Sequence, residues 1–314
     1  MEKGRVTKST GKWYVVRFNN GEQLSCRIRG KMRLDGLRST NPVAVGDEVW
    51  VERQENEETG VIQKIEVRKN FIVRKSINLS KKTQILAANI DRAYLLVTLA
   101  LPETHLAFID RFLVAAESYR IPVTLLFNKI DVYFEEHLPL IDEIIAIYKP
   151  LGYPCHKISA LNKDNITFLS DEIQDKQVMI AGHSGTGKST LVNALDSSLN
   201  LKTGALSGYH LQGQHTTTFA EMHELTSGGF IIDTPGIKAF GVIDLDKDVM
   251  SHYFPEMRAL LGKCKFHNCL HLNEPHCAVK NAVKAGSIHT SRYKTYLSLM
   301  EEDQEENYRK DIYG

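Results

Sequence analysis

Gly182, Gly187, Lys188 and Ser189 stand at the spacing G-x-x-x-x-G-K-[ST] within Val178 to Leu191, VMIAGHSGTGKSTL. The spacing has a chemical reason. Glycines let successive backbone N–H groups curl around a polyphosphate, and the helix that follows turns its positive dipole end toward the same anion. Lys188 then reaches the β- and γ-phosphates, and the Ser189 hydroxyl meets Mg²⁺. The intervening His183, Ser184, Gly185 and Thr186, with Thr190 just beyond, complete the nucleotide-lining segment. Val178, Met179, Ile180 and Ala181 read as the apolar strand that such a loop must follow.

Upstream, Asn128-Lys129-Ile130-Asp131 directly follows the apolar run Val123–Phe127. A carboxylate at Asp131 accepts from both guanine N1–H and N2–H₂, which adenine does not present in that arrangement, so Asp131 selects GTP over ATP. Asn128 is placed to bond the base and brace the phosphate loop, and the Lys129 stem to cover the ring. After the run Cys155–Ile158, Ser159-Ala160 offers a backbone amide to guanine O6. Downstream, Asp233-Thr234-Pro235-Gly236 fits D-x-x-G, with Asp233 reaching Mg²⁺ through water and the Gly236 amide near the γ-phosphate. Between them, Gly213-Gln214-His215-Thr216-Thr217-Thr218 supplies hydroxyls for the Mg²⁺ shell, Thr217 being favoured over Thr216.

A third constellation is Cys264-x₄-Cys269-x-His271-x₅-Cys277, while Cys26 and Cys155 stand apart. In a chain without export signals, clustered cysteines favour metal over disulfides. Three thiolates and one imidazole would close a tetrahedral Zn²⁺ site with no open position, which is a structural site. His267, His271 and His276 all lie within reach of the fourth place.

The elements that must position these groups are legible in the patterning of the 314 residues. Lys12–Phe18, Leu24–Ile28, Val49–Val51 and Val61–Ile65 are short β-type runs split by turn residues, which predicts a small OB-type barrel. Trp13 is expected in its core. From Phe71 to Val242, wholly apolar runs at Tyr94–Thr98, Val123–Phe127, Cys155–Ile158, Val178–Ala181 and Phe230–Ile232 alternate with helical spacing over Asp110–Tyr119, Glu136–Tyr148 and Asp164–Glu172. That alternation predicts a parallel sheet covered on both faces, with ligands beyond the strands' carboxyl ends. The expected parts are thus a barrel at 1–70, an α/β phosphate-loop domain at 71–243 and a mainly α zinc-binding domain at 244–314. In the last, Tyr293, Tyr296, Leu297 and Met300 form a helical packing stripe flanked by Arg292 and Lys294, and Glu301 to Glu306 is expected to be solvated or disordered.

Net charge is +1, but its distribution is uneven. Met1 to Arg38 holds ten Lys/Arg against Glu2, Glu22 and Asp35, and Arg68, Lys69, Arg74, Lys75, Lys81 and Lys82 form a second basic run. Such runs are the footprint of nucleic-acid binding. No apolar run is long enough to span a membrane, and MEKGRVTKST lacks a signal-peptide core, so a cytoplasmic protein is expected.

The motif order is unusual. GTPases normally run phosphate loop, threonine switch, D-x-x-G, N-K-x-D, whereas here Asn128–Asp131 comes first. Circular permutation preserves sheet neighbours while moving the termini, and accounts for the order without giving up any motif. With these motifs and the Cys/His cluster, nearly the whole chain resembles the small ribosomal subunit-dependent GTPase A family (the RsgA or YjeQ type). The resemblance implies an OB domain, a permuted GTPase and a zinc domain acting in late maturation of the 30S subunit on 16S rRNA. It also implies GTP hydrolysis to GDP stimulated by the subunit, with nucleotide state controlling binding and release. It picks His271 as the fourth zinc ligand. Ile237 follows Gly236, where Ras-like enzymes carry a water-orienting glutamine nearby, and the resemblance makes His215 the candidate catalytic group beside Lys188 and Thr217. The chain departs from the family at Gln214, where arginine is usual. Nothing in the sequence demands an oligomer, and a monomer is expected.

Overall fold

The structure, a computed structural model, describes residues 1–28, 42–54, 58–75, 83–201, 221–233 and 245–312. Five strands form the N-terminal barrel: β1 Glu2–Ser9, β2 Tyr14–Phe18, β3 Gln23–Ile28, β4 Glu48–Arg53 and β5 Thr59–Ile65. β1 pairs antiparallel with both β2 and β4, β2 with β3, and β4 with β5, while β3 and β5 run parallel, so the sheet closes on itself. Alternation drives closure. Tyr14, Val16 and Phe18 point inward to join Val6, Cys26, Val49, Val51 and Ile62 in one core. The same alternation turns Trp13 outward, contrary to the core position expected for it: it is 37 % exposed, and the Arg27 guanidinium lies 4.0 Å from its ring centroid. β1 has no counterpart in the sequence reading, because EKGRVTKS carries one aliphatic residue among charged and small ones.

A hairpin of β6 (Phe71–Lys75) and β7 (Thr83–Ala88), also absent from that reading, links barrel to α/β domain. Part of the second basic run is spent here. Arg68 donates to both carboxylate oxygens of buried Asp47 at 2.6 Å and to Pro42 O at 2.7 Å, while Lys69 pairs with Asp91. The N-terminal excess is partly internal too. Arg17 pairs with Glu224 at 2.6 Å, and the Arg5 and Arg17 guanidiniums lie 4.9 and 5.7 Å from the centroid of Phe230.

The α/β domain follows the predicted alternation. β8 (Arg92–Val97), β9 (Val123–Phe127), β10 (Cys155–Lys157), β11 (Gln177–Ala181) and β13 (Phe230–Asp233) lie side by side in the order β10-β9-β8-β11-β13, all parallel. β12 (Glu221–Glu224) adds antiparallel to β13 and meets β1 through the single pair Lys8–Glu221. Helices α1 (Leu106–Ser118) and α2 (Leu138–Tyr148) cover one face around Leu95, Phe112, Leu125 and Met179. On the other, α3 (Thr167–Ile173) and α4 (Lys188–Leu195) pack around Leu96, Leu126, Ile180 and Leu191. The all-buried strand VTLLF is the signature of a sheet with both faces covered.

The C-terminal part is helical, with α5 (Lys247–Met250), α6 (Pro255–Arg258), α7 (Ala278–Lys284) and α8 (Thr290–Ile312). Its core of Met250, Phe254, Met257, Val279, Tyr296 and Met300 includes Val114 from α1. The tyrosine stripe packs as expected, and Arg292, which the sequence places only as its flank, belongs to the interior. It is fully buried, donating to Asp110 on α1 at 2.9 Å and to Glu256 on α6 at 2.7 Å. Asp110 also accepts from Thr295 Oγ1 at 2.7 Å and the Tyr148 hydroxyl at 2.8 Å. The backbone is helical through Glu301–Glu306, and Glu301 is exposed to solvent. Among the described residues no helix is long and apolar enough to cross a membrane.

A candidate guanine-nucleotide site and a candidate zinc centre

Parallel register brings the loop-bearing strand ends to one edge. Val97 aligns with Phe127, Phe127 with Lys157, Ala181 with Leu95, and Met179 with Ile232. The phosphate-loop motif, Asn128–Asp131, Ser159-Ala160 and the end of β13 therefore emerge together. Gly182 and Gly187 hold φ of 144° and 98°, and a Cβ on Gly187 would lie 2.4 Å from Asn128 Nδ2. Only glycine allows that approach. Lys188 opens α4, with its ammonium folded onto Gly182 O at 2.8 Å and His183 O at 2.7 Å; Thr186 is buried and donates to His183 O at 2.9 Å. Ser184 and Gly185 are exposed at the turn, and Ser189 and Thr190 follow in the first turn of α4. The His183 imidazole lies against Phe108 of α1, centroids 3.7 Å apart.

Asn128 is 2 % exposed and ties two loops together. Its Nδ2 donates to Thr186 O at 2.8 Å and its Oδ1 accepts from Ala160 N–H at 2.9 Å. The brace to the phosphate loop matches the sequence expectation. Both amides expected to meet guanine O6 are engaged here, Ala160 N–H by the Asn128 carboxamide and Ser159 N–H by Asp164 O at 3.1 Å. Asp131 is exposed at the rim, and the Ser159 hydroxyl donates to its Oδ1 while accepting from Asn162 N–H. Lys129 adopts left-handed φ of 69°, and its ammonium donates to Leu101 O. Burial holds its pKa below the usual lysine value despite the Asp131 charge. Of the remaining candidates, Gln214, His215, Thr216, Thr217 and Gly236 lie outside the described residues, as does the side chain of Asp233.

The four zinc candidates do converge. Among the described residues, one ligand atom each from Cys264, Cys269, His271 and Cys277 lies within 4.8 Å of every other. Cys264 Sγ is 3.9 Å from Cys277 Sγ and 3.6 Å from His271 Nδ1, which is 3.3 Å from Cys277 Sγ. A tetrahedral zinc with Zn–S bonds of about 2.3 Å sets its sulfurs about 3.8 Å apart, so the set fits one zinc. The donor chemistry agrees. Burial lowers the His271 pKa, favouring the neutral imidazole that ligates, with Nδ1 the nitrogen turned to the thiols. Burial first, then the neighbouring thiols, push the Cys269 thiol up to about 12, a cost that a cation removes. Backbone N–H groups of Ala278 and Lys280 point at Cys264 Sγ (3.3 Å) and Cys277 Sγ (3.5 Å), and Glu274 accepts from Leu270 and Leu272 N–H to shape the loop around His271.

Sequence reasoning missed three participants: Ser159 as the group that orients Asp131, Phe108 as the wall beside His183, and the Asp110–Arg292 pair behind it. None carries a motif. Each is an ordinary residue given meaning by a neighbour at least 28 positions away.

A phosphate loop on an inner strand of a parallel sheet, with its guanine-reading loop encoded before it, defines a circularly permuted P-loop GTPase. The chain belongs to the RsgA GTPase family, a family of GTP hydrolases: the RsgA GTPase domain matches residues 65–243 and the RsgA N-terminal domain residues 3–62. It is 53% identical over 99% of both chains to the small ribosomal subunit biogenesis GTPase RsgA of Christiangramia forsetii. It is 50% identical to that of Bacteroides fragilis, over 98% of this chain and 99% of the other. Among solved structures it resembles YjeQ from Thermotoga maritima (TM-score 0.76, 34% identity, 96% of this chain and 98% of that one). It also resembles YloQ, a circularly permuted GTPase (TM-score 0.74, 28% identity, 98% and 96%).

Proposed function

We propose that this chain binds the small (30S) ribosomal subunit in late maturation and hydrolyses GTP to GDP and phosphate there, stimulated by the subunit, with nucleotide state setting binding and release. The observation that carries the nucleotide half is Asn128, whose one carboxamide locks the phosphate loop to the Ser159–Ala160 loop. The names of relatives covered over nearly their whole length support the ribosomal half. Barrel, GTPase and zinc domain are assigned to 1–70, 71–243 and 244–314.

In this reading the Lys188 ammonium exchanges its two loop carbonyls for β- and γ-phosphate oxygens, and the N–H groups of 182–190 cradle the same anion. Asn128, Lys129 and Asp131 hold guanine, and the Ala160 N–H exchanges the Asn128 carboxamide for guanine O6 when the base binds. Ser189 and Thr217 would hold Mg²⁺, which would neutralise phosphate charge, and the D-x-x-G motif assigns Asp233 to that ion and the Gly236 amide to the γ-phosphate. The Ile237 side chain offers no hydrogen bond to water, and the family resemblance makes His215 the group that positions the nucleophile, which attacks the γ-phosphorus as the bond to the β,γ-bridging oxygen breaks. Cys264, Cys269, His271 and Cys277 hold a structural zinc. The protein works as a monomer in the cytoplasm on 16S rRNA, and the outward Trp13–Arg27 pair is one surface offered to it.

Phosphate release from GTP and ATP, with and without purified 30S subunits, tests the reading. GTP-specific turnover that rises on addition of subunits is the expected result; equal rates with ATP, or no rise, would overturn it.

A further inference from the structure

The zinc candidates Cys264 and Cys269 are separated by Lys265-Phe266-His267-Asn268, and all four intervening residues are exposed. Phe266 is 40 % exposed, and the Lys265 ammonium lies 5.7 Å from its ring centroid. The turn is tight, with Cys269 N–H donating to Phe266 O at 3.3 Å. Part of the Phe266 ring stays in water where burial would be more favourable, although the flanking Cys264 and Cys269 pack against the C-terminal core. A ring presented between two anchored cysteines is also preorganised, so little order is lost when something stacks on it.

The charge around this loop says what that something is. From Arg258 to Met300 the chain carries Arg258, Lys263, Lys265, Lys280, Lys284, Arg292 and Lys294, and its one acidic residue is Glu274. Glu274 is turned inward onto Leu270 and Leu272 N–H, Arg292 is buried, and Arg258 pairs with Glu117. The exposed excess is thus Lys263, Lys265, Lys284 and Lys294. A flat apolar ring beside the Lys265 ammonium, in a segment whose exposed charges are all cationic, complements an unpaired base with its phosphates, whereas an apolar protein partner would gain nothing from the lysines.

We propose that the Cys264–Cys269 loop is a single-strand RNA contact, in which Phe266 stacks on one unpaired base while Lys263 and Lys265 neutralise the flanking phosphates. It rests on the proposed small-subunit partner and names the chemistry by which the zinc domain would touch it.

The test uses the full chain with its zinc content verified. Phe266→Ala should weaken 30S binding about ten-fold and Phe266→Trp should restore it, with subunit-free GTP turnover unchanged in both. Lys265→Gln should flatten the dependence of log affinity on log salt by about 0.7. A photo-crosslinking benzoylphenylalanine at 266 should capture ribosomal RNA. Unchanged affinity in Phe266→Ala, or a crosslink to ribosomal protein, overturns the assignment. If the unaltered chain does not bind subunits, the function proposed above fails, and a labelled oligouridine decides the loop alone: equal affinity with and without Phe266, or none for either, overturns it.

Discussion

Asp110 on α1 and Arg292 on α8 lie 182 residues apart in sequence and share a 2.9 Å hydrogen bond with neither side chain exposed to solvent. Glu256, Thr295 and Tyr148 complete the cluster. A buried pair of this kind gives little net stability over apolar residues of equal volume, but removing one member strands a charge.

Asp110→Ala should therefore cost about 3–5 kcal/mol, and the triple change Asp110→Leu, Glu256→Leu and Arg292→Met, which leaves no charge behind, considerably less. Urea denaturation followed by tryptophan fluorescence and far-UV circular dichroism gives both values. A loss in the single variant of under about 0.5 kcal/mol would mean that the guanidinium escapes to water, contrary to its burial here.

Guanine selection is assigned to an exposed carboxylate held by Ser159. Asp131→Asn replaces an acceptor with a donor opposite the base C2 substituent, so GDP affinity should fall about ten- to a hundred-fold while xanthosine diphosphate, with a carbonyl there, gains. Ser159→Ala, which removes only the orienting hydroxyl, should lose less. Competition against a fluorescent nucleotide measures all three, and unaltered preference in Asp131→Asn refutes the base assignment.

Zinc should be found at about one equivalent per chain. Chelation, or Cys269→Ser, should melt the C-terminal helices, visible as lost ellipticity, while the barrel retains its sheet. Metal-free protein with unchanged helicity would show that the four donors fold the loop without a cation.

His215→Ala should lower subunit-stimulated turnover while leaving GTP affinity nearly intact. Stimulated turnover at the unaltered rate removes His215 from the mechanism.

The sequence made the nucleotide site legible because polyphosphate and guanine recognition are local: short runs at strand ends carry it, and covered strands such as VTLLF reveal themselves by being apolar throughout. The three zinc thiols were equally plain from residue type and spacing, whereas the fourth place stood open among His267, His271 and His276 until the family resemblance picked His271. The misses share a different cause. Arg292 reads only as the flank of a stripe because nothing in its own helix announces a carboxylate on α1, and Arg5, Arg17, Arg68 and Lys69 read as nucleic-acid contacts because their acidic or aromatic partners are distant in the chain. Trp13 illustrates strand phase: aromatic character indicated a core residue, but alternation from Tyr14 turned it to water.

The burial of Asp110 and Val114 by the C-terminal helices bears on how this protein may be cut. A truncation ending at residue 243 follows the end of the matched GTPase domain, yet it would uncover Val114 and deprive Asp110 of its guanidinium. The stretch recognisable as the enzyme is a unit of sequence and not of folding, and an isolated version needs Asp110 and Val114 redesigned before its turnover can be compared with that of the whole chain.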